Sequence, residues 1–307
     1  MNRIAVYTTI YPGVEPYLPD WFWSLKAQTD QNFQLWVGLD GVSPELVREG
    51  VGTPIDVKLI LSESGDTPAA IRQRCLAQIA VVCDAVVLVD SDDILEPSRV
   101  AAARRRLEGN DLVACALKLI DQAGRDLPLE LGLPPGGSVE GVLPRNNVFG
   151  LSNSAYRSEL LRRCLPIPAG VVLVDWFLAT RAWLMGARLA FDSVPRMKYR
   201  QHQRNMARVQ YPVRPEQVVE ETELVRGHFQ LLLSLDSGHF VSERVELLKS
   251  AALNVETFYE CIVQKPRQLQ LYVQELNILN PPPLWWSSVA NPALECIWQT
   301  APCHECC

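Results

Sequence analysis

The sequence holds no apolar run long enough to cross a bilayer. The longest such stretch, around Ile79 to Val89, is broken by Asp84, and a spanning helix needs about 20 apolar residues. No secretory h-region precedes the first structured segment either, because Met1-Asn2-Arg3-Ile4-Ala5-Val6-Tyr7 passes directly into a strand pattern. Basic runs interleaved with aromatics are missing and the formal net charge is -6, so nucleic acid is excluded as the expected partner. A disulfide framework is lacking as well. The nine cysteines are odd in number, and Cys75, Cys83, Cys115 and Cys164 are scattered through apolar segments, as buried thiols in a reducing compartment would be. These absences predict a cytoplasmic protein, with peripheral membrane contact left open.

Several catalytic motifs are absent too. No G-x-x-x-x-G-K-[ST] phosphate loop occurs, and no G-x-G-x-x-G follows the first strand. Gly150-Leu151-Ser152-Asn153-Ser154 lacks the second glycine of a nucleophile elbow. What is present suits a large globular core: 307 residues, 48% hydrophobic and 21% charged.

Apolar and β-branched runs predict strands over residues 4–10, 33–39, 57–61, 85–89 and 112–120, with a short one at 189–191. Helical spacing predicts helices over 18–29, 44–50, 68–80, 97–107 and 175–186. Alternation at this spacing implies βαβ units, hence an α/β fold whose mixed, mostly parallel sheet is flanked by helices. From Pro215 the pattern becomes wholly helical, over roughly 216–235, 241–263 and 266–278. Residues from Pro281-Pro282-Pro283-Leu284-Trp285-Trp286 onward read as irregular. The expected division is therefore a domain over 1–212 and a helical extension over 213–307. That extension would serve a homodimer, the acceptor or a membrane surface, with Trp285, Trp286 and Trp298 packing it onto the first domain.

In open α/β sheets ligands bind beyond the carboxyl ends of the strands, where Thr8-Thr9, Asp40 and Asp90-Ser91-Asp92-Asp93 all fall. Three carboxylates in one turn repel one another and raise their own pKa values unless a cation sits among them. Hard oxygen donors suit Mg²⁺ or Mn²⁺, which bridge phosphate oxygens. Taken alone, the same turn also suits a solvated loop capping the helix near Pro97.

Five segments in order shift that balance. They are Thr9-Ile10-Tyr11-Pro12, Ser24-Leu25-Lys26-Ala27-Gln28-Thr29, Ala69-Ala70-Ile71-Arg72-Gln73-Arg74, Val87-Leu88-Val89-Asp90-Ser91-Asp92-Asp93, and Val174-Asp175-Trp176 with Tyr199-Arg200-Gln201-His202. Together they resemble the GT-A glycosyltransferases, in particular the inverting enzymes of family 2, over about residues 3–206.

The resemblance implies a GT-A fold and transfer of a sugar from a nucleoside-diphosphate donor, UDP- or dTDP-linked, to a hydroxyl. The acceptor would be a saccharide, a lipid-linked molecule or a small molecule. It implies that Thr9, Tyr11 and Asp40 hold the base, that Arg72 lies on the uridine or diphosphate side, and that Asp90 contacts ribose or metal. Asp92 would ligate the metal, His202 would complete the metal shell or contact diphosphate, and Asp175 would be the base. Asp93 is left as structural.

Three positions depart from the family pattern: Leu39 precedes a single Asp40, Gln73 replaces asparagine, and Val174 replaces glutamate. Outside the resemblance, Asp175 also reads as a helix cap, and Asn146, Asn147 and Asn153 as sugar contacts or turn residues. The Cys303-His304-Glu305-Cys306-Cys307 tail lacks the paired halves of a zinc site. A sugar-phosphate nucleotidyltransferase is the runner-up enzyme, although Tyr11-Pro12-Gly13-Val14-Glu15 stands where its basic glycine-rich loop would. A non-catalytic sugar-nucleotide binder is the alternative outside enzymes.

Overall fold

The computed structural model describes residues 3–51, 57–207, 209, 211–235 and 238–299. The Cys303–Cys307 tail lies outside them. The first half alternates as its periodicity predicts. Strands β1 (Ile4–Ile10), β2 (Phe33–Leu39), β3 (Val57–Leu61) and β4 (Ala85–Leu88) are separated by helices α1 (Leu18–Lys26), α2 (Pro44–Val51) and α3 (Pro68–Val82). These four strands pair in parallel in the order β3-β2-β1-β4. Every residue of β1 is buried, which is why its sequence is continuously apolar rather than alternating. Helix α3 starts where the sequence signals it: Thr67 Oγ1 accepts from Ala70 N at 3.2 Å and Pro68 occupies the first turn.

Beyond β4 the sheet turns mixed. The elements that follow are β5 (Ile94–Leu95), α4 (Arg99–Arg106), β6 (Leu112–Ile120), β7 (Asp126–Leu131), α5 (Val139–Val142), β8 (Ser154–Arg157), α6 (Ser158–Cys164), α7 (Val174–Leu184) and β9 (Leu189–Arg200). The order continues β4-β8-β6-β9-β5, with β7 on β6. Strand β8 is antiparallel to β4 and β6, whereas β6 and β9 are parallel.

Strands β5, β7 and β8 were not expected from periodicity, being two to six residues long. Strand β9 runs to Arg200 rather than stopping near Phe191. Its second half is polar, so it carries no apolar signal, but its charges are matched. Asp192 pairs with Arg106 and Arg196, and Lys198 pairs with Asp126 at 3.0 Å.

The Gln28-Thr29 element of the family resemblance has a structural job. Buried Gln28 donates to Glu96 O (2.9 Å) and accepts from Val100 N (3.1 Å), while Thr29 N donates to Pro97 O (2.8 Å). This ties α1 to the segment leading out of the aspartate turn.

Helices α8 (Pro215–Leu233), α9 (Ser242–Phe258, continued by a π-helical turn over Tyr259–Val263), α10 (Pro266–Leu279) and the short α11 (Glu295–Trp298) follow. They pack on α7, where the His228 ring stacks on Trp176 with centroids 4.1 Å apart. No helix among the described residues is long and apolar enough to cross a membrane.

Candidate active site

A cleft of about 450 Å³ opens beyond the carboxyl ends of β1, β2 and β4. Its lining includes Thr9, Tyr11, Asp40, Arg72, Asp90, Asp92 and Asp175. Residues separated by up to 166 positions thus share one cavity. The sheet brings the first three and the aspartates together, α3 contributes Arg72, and the first turn of α7 contributes Asp175.

The aspartate turn is held from both sides. Asp90 N donates to Ser152 Oγ at 3.1 Å. Ser91 Oγ donates to Thr9 O at 2.9 Å, locking the turn onto the end of β1. Asp93 is buried and faces inward: it accepts from Arg200 N at 2.7 Å and from Ser152 Oγ. Burial, then the charges of Asp92 and Asp90, push its carboxyl well above the usual range. Arg200, itself fully buried, donates to Asp92 O (2.8 Å), Gln122 O (3.1 Å) and Asp20 Oδ2 (2.8 Å). Asp93 is therefore part of the scaffold, while Asp90 and Asp92 face the cleft.

His202, two residues past β9, places Nε2 2.8 Å from Asp92 Oδ2. Its ring stacks on Tyr17, centroids 5.1 Å apart and planes 15° apart. His202 is not a plain surface residue of its polar loop, since its side chain is buried between Tyr17 and Asp92.

Asp175 sits in the first turn of α7, but the N-cap position is Leu173 and no side chain caps this helix. Asp175 is therefore not the N-cap residue of α7, although its carboxylate meets one first-turn N–H. Its carboxylate accepts from Trp176 N (2.8 Å, Oδ1) and Asn147 Nδ2 (3.0 Å, Oδ2). Burial raises its pKa to about 6, against the lowering effect of the Trp176 N–H, the Arg72 cation and Asn147. Asp90 is raised to about 7, first by burial and then by the charge of Asp92, with Arg72 opposing. Burial and the same two aspartates push the Tyr11 phenol up. Thr9 Oγ1 is bonded to the buried Tyr7 hydroxyl at 2.9 Å.

Other candidates separate cleanly. Arg74 is bound to Asp66 (2.8 Å) and Leu61 O (2.9 Å), and Gln73 Oε1 accepts from Ile167 N (2.7 Å). Arg72 is the member of that motif that lines the cleft. Asn153 donates to Cys115 O and Val148 O, which makes it a turn residue, whereas Asn147 reaches Asp175.

Ser152, Arg204, Trp285 and Trp286 also line the cleft and were not anticipated there. The tryptophans were expected to pack the extension onto the first domain, and Trp285 does so against Tyr199 and Gly150. No local pattern marks them, since their position depends on contacts across more than 100 residues. Trp285 pairs with Asn147 through a backbone bridge.

Asp90 and Asp92 fit a divalent cation by their donor chemistry. They are hard oxygen ligands, and Asp90 is raised in part by its neighbour's negative charge, which a cation would relieve. Among the described residues no group of three or more His, Cys, Asp or Glu side chains is placed to hold an ion. A cation here would rest on few protein ligands and on phosphate and water oxygens, as Mg²⁺ commonly does.

Residues 4–162 match the family described as glycosyl transferase family 2. No curated protein matches the chain. Solved structures do. S. aureus TarS 1-349 in complex with UDP-GlcNAc superposes with a TM-score of 0.62 at 18% identity, covering 89% of this chain and 77% of that one. Mannosyltransferase PcManGT from Pyrobaculum calidifontis, in complex with GDP-Man and Mn²⁺, gives 0.57 at 14% identity, covering 97% and 87%. At these identities the likeness is one of fold.

Proposed function

This chain belongs to glycosyl transferase family 2, and from that premise we propose that it is an inverting enzyme that moves a sugar from a nucleoside-diphosphate donor to an acceptor hydroxyl with help from a divalent cation. The observation that carries the reading is the shared cleft, where the half-buried Asp175 carboxylate faces the same space as Asp90 and Asp92.

Asp175 is the general base. With a pKa raised to about 6 it is mostly ionised near neutrality yet basic enough to take a proton. The acceptor oxygen forms its bond to the anomeric carbon as the bond to the diphosphate oxygen breaks, and the acceptor proton passes to a carboxylate oxygen of Asp175. Asn147 and the Trp176 N–H hold that carboxylate in one orientation. One carboxylate suffices for direct displacement with inversion, since no covalent intermediate is needed.

Asp90 and Asp92 would hold Mg²⁺ or Mn²⁺, with His202 fixing Asp92 or joining the shell. When bound, the ion supplies Lewis-acid neutralisation of the departing diphosphate. Arg72 adds positive charge on the same side. Thr9, Tyr11 and Asp40 at the ends of β1 and β2 hold the base. The UDP-GlcNAc and GDP-Man complexes of the two neighbours support a nucleotide-sugar donor, here UDP- or dTDP-linked. Residues 213–307 form the extension of a domain over 1–212. The buried thiols of Cys75, Cys83, Cys115 and Cys164, none of them in a disulfide, support a reducing, cytoplasmic setting.

The test is nucleoside-diphosphate release from a panel of sugar nucleotides with Mn²⁺, with the anomeric configuration of the product read by NMR. Release that needs Asp92 and Asp175, and an inverted product, is expected. A retained configuration, or full turnover in Asp175→Ala, would sink the assignment.

A further inference from the structure

One part of the cleft lining is of a different chemistry. Trp285 and Trp286 form its floor, and Val172 and Met206 stand at its mouth, 53% and 60% exposed. Leu173 and Ala207 complete the wall. The tryptophans are only 6% and 5% exposed, so they act as packed floor and not as free arms.

Trp285 is fixed there by contacts with the mixed half of the sheet. Its ring meets Tyr199 edge-on with centroids 5.7 Å apart. Its six-membered ring lies so close to Gly150 that an added Cβ would fall 2.4 Å from it. Asn146 Nδ2 donates to Trp285 O at 3.3 Å, and Asn147 pairs with the Trp285 backbone while its amide holds Asp175 at 3.0 Å. The wall therefore begins one residue from the base. Trp286 sits at φ +68, a left-handed conformation that bulky residues rarely adopt. Both indole N–H groups are buried without an acceptor among the described residues. Strain and unpaired donors at one place mark a position kept for its surface and not for its own stability.

Two properties follow. The wall is joined through Asn147 to Asp175, where an acceptor hydroxyl must sit. Its six side chains also offer mainly hydrocarbon, thioether and indole surface, although polar Ser152, Tyr199, Arg204 and Asn205 line the cleft with them.

We propose that this wall is the acceptor subsite and that it selects a hydroxyl-bearing acceptor with an apolar body next to the reacting group, such as an alkyl or aryl glycoside, over a bare sugar. This deepens the proposed glycosyl transfer and rests on that reading of Asp175. Apolar surface buried against the wall adds affinity in proportion to its area. A bare sugar has little such surface to offer.

The test is calorimetric titration of the full chain, with UDP and Mn²⁺ present, using methyl and hexyl β-D-glucopyranoside as probes. Hexyl glucoside is expected to bind at least about tenfold more tightly. Val172→Ser and Met206→Ser, both at exposed positions that tolerate polarity, are expected to cut that ratio about threefold or more. Trp286→Ala should do so further. Equal affinity for the two glucosides overturns the proposal, as does binding of neither, or a ratio untouched by all three substitutions. Sugar-nucleotide hydrolysis by the same wild-type sample separates this failure from failure of the transferase reading. Hydrolysis with no preference for the apolar probe removes only the subsite.

Discussion

The side-chain amide of Asn147 donates to Asp175 Oδ2 at 3.0 Å, and its own Oδ1 accepts from Phe149 N at 2.8 Å. The second bond fixes which way the amide points, so Asn147 presents N–H and not oxygen to the carboxylate. A donor aimed at a carboxylate favours its charged form. Asn147→Ala is expected to raise the pKa of Asp175 and move the acidic limb of the kcat/KM profile to higher pH. It should also cost on the order of 1–2 kcal/mol of stability, because the buried Phe149 N–H loses its acceptor. A profile whose acidic limb stays in place while activity falls would show that Asn147 does no more than pack.

Asp175→Asn separates catalysis from stability. Turnover should fall by about 10²–10⁴, the usual worth of a positioned base. Stability should move the other way. The folded pKa of about 6 lies above the unfolded value near 3.8, so the folded state binds the extra proton. Wild-type stability therefore declines as pH rises from about 4 to about 6, and above that window the buried charge costs up to about 3 kcal/mol. The Asn variant lacks that charge, and the gain is offset only in part by its single oxygen, which can accept from just one of Trp176 N and Asn147 Nδ2. Its melting temperature should exceed wild type at pH 7.5, with the gap closing below pH 4. A variant less stable at both pH values contradicts the burial argument.

Most of the parallel half was legible in the sequence, because strands buried on both faces are written as unbroken apolar runs and Thr67-Pro68 spells a helix start. The site residues on strand ends followed from the same rule. What escaped was whatever depends on pairing and not on periodicity. The polar half of β9 is stable because Asp192, Arg196 and Lys198 find partners on other elements. Asn147 and Ser152 owe their places to contacts with Asp175 and with Asp90 and Asp93. Trp285 packs the extension onto the first domain as expected, but its place and that of Trp286 in the cleft were not legible, since nothing local encodes an approach to Gly150 across 135 positions.

The His202–Asp92 contact predicts a graded response to metal. Mn²⁺ with UDP should raise the melting temperature of wild type, since ligands that bind only the folded state stabilise it by about 2.7 kcal/mol at 100 times Kd. Asp92→Asn should abolish most of the Mn²⁺-dependent part. His202→Ala should leave binding but weaken it by about 10- to 100-fold, as loss of a group that orients a ligand does. An Asp92→Asn protein with the wild-type Mn²⁺ response would remove Asp92 from the metal site.

Gly150 gives a steric test of the joint between the extension and the catalytic cleft. Its Cα faces the Trp285 ring so closely that an alanine Cβ would lie 2.4 Å from one ring carbon and 2.9 Å from the next. The ring cannot swing away as a flexible chain end would, because Tyr199 meets it edge-on and its backbone is pinned by Asn146 and Asn147. Overpacking of this kind costs about 1–3 kcal/mol, and the strain must be relieved somewhere. The softest route is displacement of residues 284–287, which carries Trp286 with it and disturbs Asn147. Gly150→Ala should therefore lower stability and also lower kcat, although the methyl group adds no charge and removes no hydrogen bond. Gly150→Ala combined with Trp285→Leu, which frees the space, should recover part of the lost stability. If the double variant is as unstable as the sum of the two singles, the two residues do not compete for one space, and the strain lies elsewhere.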